Sequence, residues 1–567
     1  MLKSSFCRAK NWGAKTWDLV FSMILIITVV ATRIPFMSRF LYEWDSVNYA
    51  LALTDYNVLQ QQPHPPGYIL YVALGRAANI IFQDPNTSLI ALAILFTALS
   101  AVLIYLMTQE IFSRNLGIIT ALLFIFNPLI WFYGEIASIY IFEAFFSILI
   151  AYTSYRVLKG ENRFIYISAF VLGIAGGFRT DIVEFLLPLW IFCLIYSRPS
   201  YTKIVKGLLV FVLSILLWLV PTALSVGGLQ QYLHLLKSTS AAADYTSMLF
   251  GASIKEQVLN SGACILWSLL GLSLVGVIAV SFFLTIHRKS RVKTIFHLKK
   301  PLKWFFLLWM GPAFIFYIAV YIVKPGYLLT CLPPFMILLA WILNRISKTL
   351  NLKFPTLSCK KVLVSLVLVY AIVNAVYFVY PCDIHNGAIW ETPMDKMGSS
   401  QELWFGLDVG FIYNNAKIHA NDENTQLHIQ NILNISNSDP SSTIIVVRDI
   451  TREDEGFDWR KAMYYLPGYD VYYLFDQENS GIMGKVSLWH GKNLSYTTTE
   501  ATTLYVPMTS KTTRIVWIMS DQTSFYQEVK DKLGVNTINL PNGMELYYSY
   551  VGNQTSNFQI SDFIFQR

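Results

Sequence analysis

The sequence predicts a polytopic α-helical membrane protein that carries a C-terminal extracytoplasmic α/β domain, and three observations support that expectation. Of 567 residues, 54% are hydrophobic and only 14% charged, against about a quarter charged in an ordinary globular chain. Mean hydropathy is +0.47, so the chain lacks the polar material to cover a water-facing surface. The charge is also unevenly divided. Residues 1–381 hold 30 Lys+Arg and 13 Asp+Glu, whereas 382–567 hold 13 and 22, a net +17 in front of a net −9. Apolar runs long enough to span a bilayer, about 20 residues each, recur through the first part and stop before the second. The expected division is therefore 1–381 as a transmembrane domain and 382–567 as an exported domain.

Eleven segments are candidate spans, near residues 17–37, 88–109, 116–133, 136–155, 164–178, 181–197, 204–226, 260–286, 303–323, 327–344 and 361–381. The first follows Lys3, Arg8, Lys10 and Lys15 and ends at Arg33-Ile34-Pro35 with no small-residue cleavage site, which reads as a retained span and not a signal peptide. With the N-terminus in the cytoplasm, 23 of the 30 basic residues of the front part fall in loops on one side. That asymmetry predicts a plasma (inner) membrane protein with its N-terminus inside and its C-terminal domain outside. Acids gather on the other side: Glu43, Asp45, Asp55, Asp84, Glu135, Asp181, Asp244 and Glu256 lie in or beside the outer loops, and Glu143 lies inside the fourth span. Chemistry is thus expected on the outer face.

After 380–381 the pattern changes to alternating strands and helices: strand 443–447, helix 459–465, strand 471–475, strand 514–519, helix 524–533 and strand 545–550. A region of this size can bury its own core. Six scattered cysteines, Cys7, Cys193, Cys264, Cys331, Cys359 and Cys382, form no CxxC pair, so neither a zinc site nor a disulfide framework is indicated. No domain-wide basic surface interleaved with aromatics exists outside the loops, which argues against nucleic acid as a partner.

The first outer loop, 38–87, holds the densest chemistry. Glu43 and Asp45 stand two residues apart directly after a span, and a partly desolvated carboxylate there is placed to take a proton from a substrate at the membrane surface. His64-Pro65-Pro66-Gly67 is a stiff turn that presents His64 near those acids. Solvation of a loop, with Trp44 as an interface anchor, is the plainer reading of the same residues. Glu143 follows Glu135 by eight positions, nearly the same helix face, and an ionisable group inside the hydrocarbon region is a functional candidate by default. Arg179 and Asp181 sit at the turn after Gly176-Gly177, and Lys324-Pro325-Gly326-Tyr327 precedes the tenth span. Fixed cations beside the outer leaflet suit a phosphate, although Lys324 could equally anchor at the interface by snorkelling.

Taken in order, EWD at 43–45, HPPG at 64–67, YGE at 133–135, FEAFF at 142–146, GGFR at 176–179 and GYLLTCLPP at 326–334 resemble the multi-span GT-C glycosyltransferases, the group of the protein O-mannosyltransferases and aminoarabinose transferases. The likeness covers about residues 15–345 and implies a GT-C-like transmembrane fold. It implies an enzyme that moves a sugar from a polyprenyl-phosphate donor to an acceptor hydroxyl with inversion, the acceptor being a protein, lipid or glycan. Asp45 matches the first-loop catalytic acid and would deprotonate the acceptor, with Glu43 beside it. Glu135 or Glu143 would be the second acidic position. Arg179 and Lys324 would bind the lipid phosphate, with His64, Asp181 and Tyr327 completing the substrate and donor contacts. Two departures stand out. Gly326 occupies the place where the family often has a basic residue before Tyr, and EWD replaces the adjacent acidic pair of the mannosyltransferases. No cofactor is expected; a divalent metal held through Asp45 and Glu135 is the one route to a metal in this reading. A transporter or flippase is the competing expectation, weakened by acids that cluster at outer ends and not at the midplane, and by the lack of matched halves. A non-catalytic envelope scaffold would explain the tail but not the ordered acids.

Overall fold

The structure is a computed structural model that describes residues 2–241, 253–289, 298–320, 324–354, 356, 358–380, 413–448, 457–476, 486–491, 504–521, 523–552, 557–561 and 563–567. Asp244 and Cys382, singled out above, lie outside the described residues. Cys193, Cys264, Cys331 and Cys359 are free thiols.

The chain divides into two compact units. The first comprises Met1–Met37, Tyr68–Tyr380 and Phe411–Asn415; the second gathers Ser38–Gly67 with Ala416–Arg567. Residues 38–67 of the first loop therefore group with the C-terminal region, while 68–87 stay with the spans, unlike the division at 381 read from composition. Hydropathy follows the chain in one dimension, whereas the loop's partners come from far along it.

The first unit is helical: α1 Leu2–Arg33, then α3 Ile69–Phe82, α4 Pro85–Ile111, α5 Arg114–Ile125, α6 Pro128–Tyr133, α7 Tyr140–Leu158, α8 Arg163–Ala175, α9 Thr180–Ser197 and α10 Tyr201–Ser225, with α2 Trp44–Thr54 belonging to the loop. It continues through α11 Leu229–Ala241, α12 Ile254–Lys289, α13 Lys300–Ala319, α14 Leu332–Lys353 and α15 Cys359–Val379. Eight helices are long and apolar enough to cross a membrane, among the described residues. Three of the eleven expected segments are not among those eight. The 116–133 run breaks at Asn127, whose Oδ1 accepts from the backbone N of Leu129 (3.1 Å) and Ile130 (3.2 Å) and starts α6 with Pro128 in its first turn. The 164–178 run yields the 13-residue α8, which at about 1.5 Å per residue falls short of a bilayer core of about 30 Å. The 327–344 run begins as a 3-10 turn, Pro325–Thr330, before α14.

That turn approaches α7 closely. A Cβ on Gly326 would lie 2.5 Å from Tyr140 ring atoms, so the absence of a side chain there is what allows the turn to seat against the ring.

The second unit holds a six-stranded sheet in the order β3-β2-β1-β5-β7-β6. Its strands are β1 Thr443–Arg448, β2 Asp470–Asp476, β3 Val486–His490, β5 Arg514–Ile518, β6 Asn536–Asn539 and β7 Glu545–Tyr550. β1 is parallel to β2 and β5, and the outer pairs are antiparallel. A smaller sheet runs β4-β9-β8, with β4 Leu504–Pro507, β8 Asn557–Ile560 and β9 Phe563–Gln566. Ile444, Val446, Ile515 and Trp517 of the central strands bury against Phe525 and Val529 of a helix, Ser524–Leu533, that follows β5. Two other helices, α16 Asn415–Ile435 and α17 Trp459–Tyr465, pack on the first loop; the helix after β5 is α18. The apolar content of β1 and the aromatic content of β2 and β7 account for the strands foreseen from sequence. The strands β6 and β8, four residues each and each begun by Asn, carry no such signal.

Candidate functional site

Two constellations hold most of the residues singled out by sequence, one in each unit. The first is built on α2. Glu43 is the N-cap of that helix: its side chain accepts from the backbone N of Ser46, and Ser46 Oγ accepts from the Glu43 backbone N at 3.3 Å, a reciprocal capping box. Glu43 is thereby buried in a capping role. Asp45, next but one, falls in the first turn, where the unpaired N–H groups of a helix end place partial positive charge near a carboxylate. His64 Nδ1 lies 3.2 Å from Asp45 Oδ1, with 25% of the Asp45 side chain and 21% of the His64 side chain still exposed. His64 is set by the turn it begins: Gly67 N donates to His64 O at 3.0 Å, and Gly67 takes φ 101°, a region that suits a residue with no Cβ. The Tyr49 ring, one turn after Asp45, sits 5.9 Å from the imidazole. The arrangement is a reachable carboxylate with an oriented base behind it, the geometry a proton acceptor needs.

The second constellation lies among the spans. Arg179, at the N-terminus of α9, uses Nε to contact Glu143 Oε1 (2.9 Å) and Asp181 Oδ2 (2.8 Å). Thr330 Oγ1 donates to Glu143 Oε2 at 2.7 Å, and Tyr317 Oη donates to Asp181 Oδ2 at 3.1 Å. The guanidinium packs against two neighbouring rings, its Cζ 4.6 Å from the Tyr327 ring centroid and 5.2 Å from that of Tyr140, the two rings meeting edge to face at 5.6 Å. Glu143 is fully buried. A buried ion pair survives only with such extra hydrogen bonds and close partners. Tyr140, Tyr317 and Thr330 were not foreseen as partners; Thr330 lies inside GYLLTCLPP and Tyr140 three residues before Glu143, whereas Tyr317 lies in a plain apolar run with no signal of its own.

Glu135 is held elsewhere. Its Oε1 accepts from Trp131 Nε1 at 2.6 Å, and it is fully buried. Arg33, also buried, stacks on Trp131 at 4.7 Å, donates from Nη2 to Ile125 O at 2.5 Å and carries the charge that faces Glu135. Lys324 precedes the 3-10 turn and is half-buried, its carbonyl accepting from Tyr327 N at 3.1 Å. Among the described residues, no group of three or more His, Cys, Asp or Glu side chains is placed to hold a metal ion.

The solved structure of ArnT from Cupriavidus metallidurans in the apo state superimposes with a TM-score of 0.52 at 11% identity, over 96% of this chain and 100% of that one. The same enzyme bound to undecaprenyl phosphate gives 0.51 at 10% identity, over 96% and 98%. The chain therefore has the fold of ArnT. Residues 63–224 also match the family described as dolichyl-phosphate-mannose-protein mannosyltransferase. That stretch contains His64, Glu135, Glu143, Arg179 and Asp181, and leaves Asp45 and Lys324 outside it. No curated protein matches the chain by sequence.

Proposed function

We propose that the protein is a membrane glycosyltransferase that moves a sugar from a polyprenyl-phosphate donor to an acceptor hydroxyl on the outer side of the membrane, with inversion. The observation that supports it best is Asp45: an accessible carboxylate in the first turn of α2, oriented by His64. In this reading an Asp45 oxygen takes the proton of the acceptor hydroxyl as its oxygen attacks the anomeric carbon. The bond from that carbon to the phosphate oxygen breaks on the opposite face, and polyprenyl phosphate leaves with the electron pair. His64 keeps the carboxylate in one rotamer; Glu43 caps the helix that carries it.

Arg179 is assigned to the donor phosphate. Its Nε is the atom shared by Glu143 and Asp181, which fixes the plane of the guanidinium and leaves its two terminal nitrogens as a pre-organised fork for phosphate oxygens. Two carboxylates outweigh one guanidinium in formal charge, so a further cation is needed, and Lys324 is the one proposed. Tyr327 stacks on Arg179 and holds it in place. Glu135, closed off by Trp131 and Arg33, is assigned to the α6–α7 corner and not to proton transfer. Residues Asp45 and Glu135 are not proposed as metal ligands. The termini are proposed to lie as the loop charges indicate, the N-terminus in the cytoplasm and the C-terminal domain outside.

The test is product analysis. Membranes containing the full chain are given a sugar β-linked to polyprenyl phosphate; free polyprenyl phosphate and an α-glycoside are the expected products. A β-glycoside would contradict the single displacement, and transport of the intact donor without transfer would contradict the enzyme.

A further inference from the structure

Between the first span and α2 the backbone of residues 38–42 is neither helix nor strand, and most of it is buried, so its polar groups need partners from elsewhere. They come from the C-terminal helices of the same compact unit. Asp422, on α16, accepts at Oδ1 from Ser38 Oγ (2.9 Å) and Phe40 N (3.1 Å), and at Oδ2 from Arg39 N (2.8 Å). Asn421 Nδ2 donates to Tyr42 O at 2.7 Å, and its Oδ1 is fixed by Lys461 Nζ at 2.6 Å. Tyr465 Oη accepts from Leu41 N at 2.8 Å. Further along the loop, Arg460 Nη2 donates to Gln60 O at 2.7 Å, and the Trp44 ring, next to Asp45, packs 5.5 Å from Trp459.

Every residue from Ser38 to Tyr42 is thus held by a side chain from α16 or α17. Asp422 is the centre of that grip, because one carboxylate receives three donors from three consecutive residues. The segment it holds leads directly into Glu43 and the turn that carries Asp45. We propose that Asp422 is a positioning residue for the transfer reaction, fixing the backbone of residues 38–40 and through it the stance of Asp45. The C-terminal domain is then a working part of the catalytic loop and not an appended binding module. This inference rests on the assignment of Asp45 as the base.

The experiment uses the full chain in membranes. Asp422→Asn keeps the shape but turns one acceptor oxygen into an N–H donor that opposes a backbone N–H. Turnover is expected to fall about 10- to 100-fold, as small displacements of a reacting group do, with the donor KM within about twofold of wild type. Amide hydrogen exchange at Arg39 and Phe40 is expected to accelerate, with the protection of β1, β5 and β7 unchanged. Unchanged exchange at those two amides overturns the proposal, as does unchanged turnover. If Asp422→Asn does not accumulate, Ser38→Ala removes one donor and leaves the two amide bonds; a fall of about threefold or more in turnover at unaltered melting temperature supports the proposal, and no fall overturns it. Asp45→Asn separates the two readings. It is expected to lose turnover with exchange at Arg39 and Phe40 unaltered, so an active Asp45→Asn would defeat the base assignment while the loop-exchange result still stood on its own.

Discussion

Asp45 and Glu143 are both carboxylates beside one basic side chain, at 3.2 Å and 2.9 Å, yet their surroundings differ. Asp45 shows a quarter of its side chain to solvent, and its partner is a histidine that itself remains partly exposed. Glu143 shows none, accepts a hydrogen bond from Thr330, and has as its partner an arginine that is shared with Asp181 and packed against two tyrosine rings. A carboxylate that must exchange a proton with a substrate needs access, whereas one that must hold a cation in apolar surroundings needs satisfaction of its lone pairs. The two sites teach that acidic residues in such a chain divide by access, and that an acid inside a span is not on that ground a catalyst.

The sharpest way to break this contrast is to remove the cation that faces the buried acid. Arg179→Gln leaves Glu143 and Asp181 facing one another without compensation, and such a loss costs about 3–5 kcal/mol of stability. The thermal melting temperature of the purified protein should drop markedly; a melting curve like wild type would show that Arg179 is dispensable to the fold.

A pH effect of nearly that size is expected in the second unit. His428, on α16, is buried against the Phe457 ring at 5.2 Å, and burial lowers its pKa to about 4, with Lys461 adding to the effect and a bond to the Asn424 carbonyl opposing it. Because the folded pKa lies below the unfolded value of about 6.5, the unfolded chain binds the proton more readily. Stability from this group is therefore complete above about pH 6.5 and is lost as pH falls toward 4, by roughly 3 kcal/mol at most. Thermal melting of the second unit measured from pH 7.5 to 4 should show that decline, and His428→Gln should flatten it.

The smallest effect concerns the Gly326 turn. Gly326→Ala would force the Tyr140 ring to move, at a cost of about 1–3 kcal/mol, and would loosen that ring's contact with Arg179. A raised KM for the donor with little change in turnover is expected; a neutral substitution would mean that the ring is free to shift.

Much of this was legible in the sequence. The apolar runs located the spans, and the loop motifs located both constellations, since EWD and HPPG do meet as Asp45 and His64. The bounds of α17, α18 and β7 follow from periodicity and turn residues alone. What the sequence hid is of three kinds. Apolar content does not separate a crossing helix from one broken by a cap, as at Asn127, where only the Asn-Pro pair hints at the break. Burial of a polar group cannot be read locally: Glu135 resembles any loop acid until Arg33 and Trp131 close on it. The helix α16 was missed because its buried face is mostly polar, with Lys417, Asn421, Asp422, Thr425 and His428 turned inward and only Ile418 and Ile432 as apolar residues beside them, and hydrophobic periodicity has little to register there. That face is also the one that grips the first loop through Asp422 and Asn421, so the element least visible in sequence is the one that ties the C-terminal region to the proposed base.

The central claim is that Asp45, and not the sealed acid Glu143, receives the acceptor proton. Single-turnover transfer from a polyprenyl-phosphate sugar, measured on purified Asp45→Asn beside its melting temperature, tests it most directly. The account predicts a rate lowered by about 10²- to 10⁴-fold, the range a general base supplies, with melting unchanged from wild type. Transfer at the wild-type rate, or a loss of rate matched by a loss of fold, would contradict it.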